Sequence, residues 1–440
     1  MKNFKKTPTH DKYDVIIIGG AIMGSSTAWF LSQNPDFNGT ILVVEKDQKY
    51  EFCSTAHTTS CIRQQFSTKL NVEISQFAAN FINNFQEYMG NDIRVPKLTI
   101  KSFGYMYLAA DESFAKKLRN NQKIQAAAGA ATELLTPDEI KLRYPFYNVD
   151  DIKLGSINLV NEGYWDSITV FEWMKNKARE NGVEYVENEV IEIIKNESED
   201  QVISVKLASG EIIIGGKVVN ATNEVIEIIK NKSEDQVISV KLASGEIITG
   251  GKFVNATGPR AAVVSKMAGI EIPVEPRKRY SWIFKAEKPL DRDLPLTIDP
   301  SGFHVRENGG GTYQAGGHGV HDPAVNFDDF IMDNDLWENT VWPVLFNRIP
   351  QFESLKLISQ WAGHYAMNTL DQNAIIGPHN TVQNFFFQNG FSGHGTQQAP
   401  AMGRAIAEVL TYGCYKTIDM SAFKYERLLN GNKVIEEAII

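Results

Sequence analysis

Residues 15–24, Val15-Ile-Ile-Ile-Gly19-Gly20-Ala21-Ile22-Met23-Gly24, decide the fold of this chain. The β-branched run before the glycines is typical of a buried parallel strand. A helix is predicted over residues 25–33, and a second buried strand over 40–44, ending at Glu45. Strand, glycine turn, helix and strand form a βαβ unit, so we predict an α/β fold.

The glycine turn suits a dinucleotide, because it places a pyrophosphate at a helix N-terminus where free N–H groups and the helix dipole attract it. Gly19 makes the turn and Gly24 allows close packing, whereas Ala21 stands where the pattern has a second glycine. Glu45 follows Gly24 by 21 residues and is placed to accept ribose hydroxyls. The alternative is an ordinary βα turn with a surface glutamate. The predicted nucleotide contacts here are Gly19, Gly20, Ala21, Ile22, Met23, Gly24, Glu45 and Lys46.

Composition excludes several classes of function. The chain has 440 residues and a net charge of −9, which gives no attraction to nucleic acid or to an anionic membrane. Its three cysteines form no CxxC and no metal-ligand spacing, which is typical of a reducing compartment. The apolar runs are too short for a membrane span, so we predict a cytoplasmic protein with no metal site and no membrane span.

A tandem repeat of 35 residues occupies 188–222 and 223–257, with 32 identities between the copies. Repeats of a solenoid diverge more than this, so we interpret the pair as a duplication inside one domain. Copy two continues into Gly258, whereas copy one continues into Asn223. We expect the surplus copy to form a second small antiparallel meander. The copies differ at Glu197/Lys232, Ile214/Thr249 and Val218/Phe253.

Further segments resemble a known family. Ser54-Thr-Ala-His-Thr-Thr-Ser-Cys-Ile-Arg63-Gln-Gln-Phe-Ser67 is similar to the loop after the acidic strand in sarcosine oxidases and dimethylglycine dehydrogenases. Asn255-Ala-Thr-Gly-Pro259 resembles the segment that returns to the flavin in many FAD folds. Residues 368–378 and Gly390-Phe-Ser-Gly-His-Gly-Thr-Gln-Gln-Ala-Pro400 resemble the C-terminal flavin signature of the D-amino-acid oxidase superfamily, whose members include FAD-dependent oxidoreductase domain-containing proteins.

The resemblance implies FAD as the cofactor, bound non-covalently, with a covalent link through His57 as an alternative. The glycine-rich loop 390–395 opens a predicted helix over 397–411, whose dipole would stabilise an anionic reduced flavin. The alternative for that loop is an ordinary capped surface helix. The flavin contacts implied in this way are Ser54, Thr55, His57, Val190, Ala256, Thr257, Gly258, Gly390, Gly393, His394, Gly395, Thr396 and Gln397.

The resemblance also implies catalytic residues. Arg63 would pair with a substrate carboxylate, since a guanidinium fork suits a carboxylate. Gln397 stands where monomeric sarcosine oxidase has a second carboxylate-binding lysine, which leaves the exact substrate open. Lys278 is the candidate for assisting oxygen reduction, and His364 and Tyr365 are candidates for lining the pocket.

We therefore predict an oxidoreductase acting on an amine that carries a carboxylate, by hydride transfer to flavin. The substrate class is an N-methyl or N-substituted amino acid resembling sarcosine or dimethylglycine. Alternatives are a D-amino acid or an opine, or a flavoprotein that assembles a respiratory complex. The electron acceptor would be O₂ or an electron-transfer partner.

The domain prediction follows the same resemblance. A Rossmann-like FAD-binding domain is expected from the discontinuous segments 13–95, 155–272 and 360–440. A smaller substrate domain with an antiparallel sheet (α+β) is expected from 96–154 and 273–359.

Overall fold

The computed structural model describes residues 4–10, 13–188, 251–382 and 384–437, together with the backbone of five short strands between residues 204 and 249. These parts of the chain form a parallel sheet, a large mixed sheet and two smaller sheets, with helices packed around them. The predicted α/β class is confirmed.

The six-stranded sheet contains the predicted βαβ unit. Its first strand is fully buried, which is why it consists of β-branched residues alone. Five strands run parallel, and the sixth, at one edge, is antiparallel to its neighbour. The order across the sheet is Ile375–Pro378, Phe385–Asn389, Phe253–Asn255, Val15–Ile18, Ile41–Glu45 and Glu184–Glu187.

The eight-stranded sheet has two chemically different faces. One face carries large apolar side chains, such as Trp282 and Phe284, into a hydrophobic core. Side chains alternate between faces along a strand, so their neighbours point the other way, onto a face that we call the polar face. The order is Leu355–Asn368, Val274–Ala286, Thr312–Gly317, His304–Gly309, Leu296–Ile298, Tyr105–Ala109, Leu154–Asn158 and Glu133–Leu135.

Helices cover the sheets and connect them. The helix after the glycine turn, Ile22–Ser32, packs against two other helices. One is Gly395–Tyr412, and the other is Ser167–Glu180, which precedes the strand Glu184–Glu187. Thr136 caps a short helix in a full capping box with Glu139, as its sequence indicates. The α-helices are Ile22–Ser32, Lys69–Asn83, Phe85–Tyr88, Glu112–Ala127, Pro137–Arg143, Ser167–Glu180, Ala261–Met267, Asn334–Leu336, Trp342–Arg348, Gly395–Tyr412 and Glu426–Leu429. Single turns of other helix types are Gly258–Arg260, Trp337–Val341, Pro350–Phe352 and Ser421–Phe423.

Strands from both repeat copies join one five-stranded sheet, so the surplus copy does not form a separate meander. Val205 faces Ile213 in copy one, and Val240 faces Ile248 in copy two, which is the same register 35 residues later. The two hairpins are joined because Ser204–Lys206 also pairs with Ile247–Thr249. The strands in order are Ile212–Ile214, Ser204–Lys206, Ile247–Thr249, Val237–Lys241 and Ile228–Lys230.

A two-stranded sheet links the loop predicted to contact flavin to the rest of the molecule. Cys61–Ile62 pairs with Gly163–Tyr164, just before Arg63. Among the described residues, no helix is long and apolar enough to cross a membrane.

Candidate active site

The glycine turn holds its shape through two close contacts. Gly19 has a φ of +97°, in the left-handed region that glycine favours. A Cβ added to Gly24 would lie 1.7 Å from the carbonyl oxygen of Gly19, so no other residue fits there. The helix Ile22–Ser32 starts at Ala21 without a side-chain cap, so its first N–H groups face the turn. This geometry is suited to binding a phosphate group.

Glu45 lies beside this turn and is 7% exposed. Its Oε2 accepts a hydrogen bond from the Gly20 N–H at 2.8 Å, and its Oε1 accepts one from the Asp47 N–H at 3.1 Å. Burial raises the pKa of Glu45 to about 7. The buried hydroxyl of Tyr50, which no sequence pattern indicated, has no hydrogen-bond partner in the described structure and lies 2.9 Å from a Cβ built on Gly20. Glu45 and Tyr50 therefore offer polar groups next to the turn.

Two further predicted nucleotide contacts are Lys46, which lies next to Glu45, and Val190. Lys46 follows Glu45 and is exposed. The backbone N–H of Asn188 donates to the Glu45 carbonyl at 2.9 Å, which ties the start of copy one to this strand. Val190 lies outside the described residues.

The Asn-Ala-Thr-Gly segment ends the central parallel strand. The Oδ1 of Asn255 accepts from the Thr257 hydroxyl at 2.6 Å and from the Asn389 amide at 3.1 Å, which joins two neighbouring strands. Ala256 and Thr257 are buried, and Gly258 has a φ of +53° with nothing within 4 Å of a Cβ built on it. The segment thus turns the chain at the carboxyl edge of the sheet.

The C-terminal glycine loop leads into the helix Gly395–Tyr412, whose N-cap, His394, makes no side-chain capping bond. Gly390 and Gly393 have φ values of +69° and +94°. A Cβ on Gly393 would lie 2.3 Å from the ring of Tyr365, so the loop and this tyrosine are in contact. The N–H groups at this helix start are oriented toward the loop, as at the first glycine turn.

The structure brings Arg63, His394 and Gln397 together. The Gln397 Oε1 accepts from the Arg63 N–H at 2.9 Å, and the Arg63 Nη2 lies 2.9 Å from the His394 Nε2. The Arg63 Nη1 donates to the Gln65 carbonyl at 2.5 Å, and its guanidinium lies 4.2 Å from the Phe66 ring centre. Burial, and then Arg63, lower the pKa of His394 well below its usual range, so the imidazole is neutral and accepts this bond.

No carboxylate lies within 4.0 Å of Arg63 in the part of the chain that the structure describes, although the residue is only 1% exposed. The buried Glu162 is a more distant neighbour, and its carboxylate accepts from the Gln64 N–H at 2.6 Å instead. Burial raises the pKa of Glu162 to about 7. Arg63 is thus a buried cation that forms no direct ion pair among the described residues, and Glu162 acts on its charge only at longer range.

The loop 54–58 packs on the other side of the glycine helix start. The Ser54 hydroxyl donates to the His364 carbonyl at 2.7 Å, and the Thr55 hydroxyl lies 3.4 Å from the Ile22 N–H. The Thr396 hydroxyl donates to Thr58 at 3.1 Å. Met23 is also buried in this region. These predicted contacts therefore converge between the two uncapped helix starts.

His57 and His364 lie on either side of one phenylalanine. The Phe330 ring stacks on His364 at 4.3 Å and on His57 at 5.6 Å between ring centres. The His57 Nδ1 lies 3.0 Å from the Cys53 carbonyl, and the His364 Nε2 lies 2.8 Å from the Asp329 carbonyl. The backbone segment 329–330 therefore separates these two predicted residues.

Lys278 is not brought together with Arg63 and Tyr365. It lies opposite His364 in the sheet register, and its Nζ donates to the Asp329 carboxylate at 2.6 Å. The next residue, Arg279, points to the polar face instead, where its guanidinium lies 4.7 Å from the Tyr365 ring centre. Arg279 is thus the basic residue that contacts the predicted pocket residue Tyr365.

Three further residues of the polar face were missed by sequence reasoning: His304, Arg306 and Gln314. All three are at least nine-tenths buried. The spacing of His304 and Arg306, two residues apart on a strand, was the available signal, because it places both on one face. A histidine and an arginine at that spacing within a chain of 440 residues are too common to stand out.

The comparisons with known proteins agree with this geometry. The profile of the family described as DAO, FAD dependent oxidoreductase, matches residues 14–226 and again 223–409, so that the two matches meet within the repeat. FAD-dependent oxidoreductase domain-containing protein 1 of Xenopus laevis is 34% identical over 99% of this chain and 87% of that protein. The homolog of that protein in Drosophila melanogaster is 31% identical over 96% of this chain and 80% of its own length.

Solved structures share the fold at lower identity. L-proline dehydrogenase from P. horikoshii has a TM-score of 0.75 and 24% identity, over 96% of this chain and 99% of that one. Glycine oxidase from Geobacillus kaustophilus has a TM-score of 0.71 and 17% identity, over 94% and 98%. From its profile matches and its relatives, this chain belongs to the DAO family of FAD-dependent oxidoreductases.

Proposed function

We propose that the protein binds FAD non-covalently between the two uncapped helix starts and oxidises an amine that carries a carboxylate. The observation that carries the proposal is Arg63, a buried guanidinium that no described carboxylate pairs, next to the helix start at Gly395. A substrate carboxylate would supply the missing counter-charge.

The residues present fit FAD. The tight turn that the close contact of Gly24 with the Gly19 carbonyl allows, and the helix start after Ala21, suit the pyrophosphate, and Glu45 is placed for the ribose hydroxyls. The second open helix start, at Gly395, suits the flavin ring. FAD, when bound, supplies the acceptor for a hydride from the carbon beside the substrate nitrogen.

The protein side chains orient the substrate. Arg63 keeps donors beyond the two bonds that it makes to Gln65 and His394, since a guanidinium has five. Neutral His394 fixes the guanidinium without adding charge, and Gln397 fixes the Arg63 backbone. Tyr365 lies against the glycine loop at Gly393 and would cover the reacting centre.

The substrate class that we propose is an N-methyl or N-substituted amino acid. Mitochondrial sarcosine dehydrogenase of Mus musculus, which is 20% identical over 92% of this chain and 40% of its own length, supports this choice. A D-amino acid or an opine is the alternative, and the electron acceptor is O₂ or an electron-transfer partner.

The test is anaerobic reduction of the bound flavin, followed by its absorbance, across N-methyl amino acids, D-amino acids, opines and simple amines. We expect amines with a carboxylate to bleach the flavin, and the same amines without one to react far more slowly. Equal rates for the two groups would contradict the role of Arg63. Acid precipitation of the protein is expected to release all the flavin, and yellow colour kept by the pellet would instead indicate a bond at His57.

A further inference from the structure

A second cluster of buried polar side chains lies on the polar face of the eight-stranded sheet. It consists of Arg279, His304, Arg306 and Gln314, which we call the sheet cluster. Arg306 faces Gln314 in the strand register, and His304 and Ser281 both face Gly316 between them. Because Arg279 is two residues from Ser281, its side chain points to the same face. Three adjacent strands thus direct four polar side chains to one place.

Each member of the sheet cluster has a buried nitrogen without a hydrogen-bond partner in the described structure. These atoms are the Nε of Arg279, the Nδ1 of His304, the Nε of Arg306 and the Nε2 of Gln314. Buried polar groups are normally paired, since an unpaired one is costly. Four unpaired nitrogens on one face indicate a ligand that accepts hydrogen bonds.

The charge of the sheet cluster indicates an anion. Arg306 is 5% exposed, and within the described ranges no carboxylate lies within 4.0 Å of it. Its Nη2 donates to the Thr59 carbonyl at 3.1 Å and to the Gln314 Oε1 at 2.5 Å, both neutral groups. Arg279 differs, because Asp322 accepts from both of its Nη atoms, at 2.7 and 2.9 Å. The cluster therefore has one guanidinium, that of Arg306, without a direct carboxylate partner among the described residues, and the Glu307 carboxylate acts on it only at longer range.

This charge is separate from that of Arg63. Arg306 is bonded to Thr59, and the chain from residue 59 to residue 63 runs through the strand Cys61–Ile62. Four residues of extended chain span at most about 14 Å. Tyr365 lies under Arg279 and feels the charges of both Arg279 and Arg63. The chain between residues 59 and 63 therefore limits how far Arg306 can lie from Arg63, and Tyr365 lies near the charges of both Arg63 and Arg279.

We propose that the substrate carries two anionic groups, one for Arg63 and a second for Arg306, His304 and Gln314. This inference rests on the proposed function and names its substrate class: an N-substituted amino acid with a second carboxylate. Arg306 is then a specificity-determining residue, since only a substrate with the second group contacts it.

The test is calorimetric titration of the FAD-loaded protein with unreactive ligands that differ in one carboxylate: acetate and propionate against malonate, succinate and glutarate. A charge-assisted hydrogen bond contributes roughly 1.5–3 kcal/mol, so at least one dicarboxylate is expected to bind about ten- to a hundred-fold more tightly than the monocarboxylates. Equal or weaker binding of every dicarboxylate would overturn the inference, without any variant being made.

Variants of the sheet cluster test whether its residues bind the second carboxylate of the ligand. Arg306→Gln is expected to reduce dicarboxylate affinity to the monocarboxylate level and to leave monocarboxylate affinity unchanged, and an equal loss for both would also overturn the inference. Gln314→Leu, which removes one unpaired donor, is expected to act in the same direction and serves if Arg306→Gln does not fold. The matched control is Arg292→Gln, because Arg292 is exposed, pairs with Asp291 and otherwise donates to the Arg143 carbonyl.

The proposed amine oxidation and the second anion site can be refuted independently of each other. If dicarboxylates bind tightly but no amine of any kind reduces the flavin, the second anion site stands and the amine oxidation does not. If N-methyl amino acids with one carboxylate reduce the flavin faster than those with two, amine oxidation stands and the second site is refuted.

Discussion

At the scale of the residue, the contact between Arg63 and His394 shows how a buried cation is kept without a carboxylate. A neutral imidazole and a backbone carbonyl accept from the guanidinium, and the Phe66 ring covers it at 4.2 Å. Such acceptors hold the group in place but leave its charge unbalanced. The arrangement is typical of a site whose counter-charge arrives with a ligand.

Replacing Arg63 by glutamine is expected to weaken substrate binding and to spare FAD. Loss of one charge-assisted hydrogen bond, roughly 1.5–3 kcal/mol, should raise KM about ten- to a hundred-fold. Steady-state kinetics on the best amine from the screen and the flavin absorbance of the purified variant measure both effects. Arg119→Gln, an exposed substitution, is the control. An unchanged KM with full flavin content would show that Arg63 is structural.

The carboxylate of Glu45 makes FAD binding depend on pH. Its pKa is raised to about 7 by burial, and ribose hydroxyls donate preferentially to the ionised form. Below pH 7, FAD binding must therefore release a proton, so affinity is expected to rise with pH, by up to about tenfold per unit, and to level off above pH 7. Fluorescence titration of the apoprotein with FAD from pH 5.5 to 8.5 checks this. Glu45→Gln should bind more weakly with a flat profile, and a sloping profile in that variant would assign the proton to another group.

At the scale of the element, the strand Val274–Ala286 shows what sequence reasoning provides and what it lacks. The run of basic residues at 277–279 was identified, but a shift of one residue moves a side chain to the other face of a sheet. The sequence contains no feature that fixes this choice, because Lys278 and Arg279 are both flanked by basic or aromatic neighbours. Register with the strand Leu355–Asn368 fixes it, and that strand is about 80 residues away.

Because Lys278 and Arg279 lie on opposite faces of the sheet, replacing each of them in turn gives a matched pair of variants. Lys278→Met is expected to leave the rate of anaerobic flavin reduction within about twofold, because the Lys278 Nζ donates to the Asp329 carboxylate and the Ile331 carbonyl, on the face of the sheet opposite to Arg279 and Tyr365. Arg279→Met is expected to slow it at least tenfold, since it removes a guanidinium that stacks on Tyr365 and leaves Asp322 with only the more distant Arg277, at 3.9 Å. Stopped-flow absorbance measures both rates. The reverse order would restore Lys278 as the functional residue.

The segment 273–359 was expected to contribute an antiparallel sheet to the substrate domain, and residues 334–348 within it are helical. Asp333 caps the helix that starts at Asn334, accepting from the Leu336 N–H at 3.1 Å. Pro343, near the start of the helix Trp342–Arg348, is also favourable there. Both signals are present in the sequence, but the tryptophans and valines of 337–344 favour strand by propensity, and packing against Trp282 decides for helix.

At the scale of the whole molecule, the βαβ unit and both glycine loops could be predicted because their chemistry is local. The order of the parallel sheet could not, because it places Phe253–Asn255 beside the first strand, and Phe385–Asn389 beside Phe253–Asn255, from far along the chain. The sheet cluster was missed for the same reason, since it exists only once three strands are aligned. The division into two discontinuous domains remains a proposal, with the large mixed sheet as the core of the substrate domain.

The repeat gives the sharpest test at this scale, because either copy can be removed with both junctions intact. Deleting residues 188–222 joins Glu187 to Asn223, and deleting 223–257 joins Thr222 to Gly258. The two products differ at only three positions, which are those where the copies differ. Each keeps one complete hairpin in the shared register. We therefore expect both deletions to fold and to retain FAD.

The two deletion proteins are nevertheless expected to differ in stability. Phe253 is fully buried between the first strand and Phe385–Asn389, and Val218 takes its place when copy two is removed. The smaller side chain leaves a cavity that costs about 1–3 kcal/mol, so the protein without 223–257 should melt at a lower temperature than the one without 188–222. Restoring phenylalanine by Val218→Phe in the less stable protein should recover most of the difference. If either deletion abolishes folding or flavin content, the second copy is not redundant, and its strand pairing with the first is required by the fold.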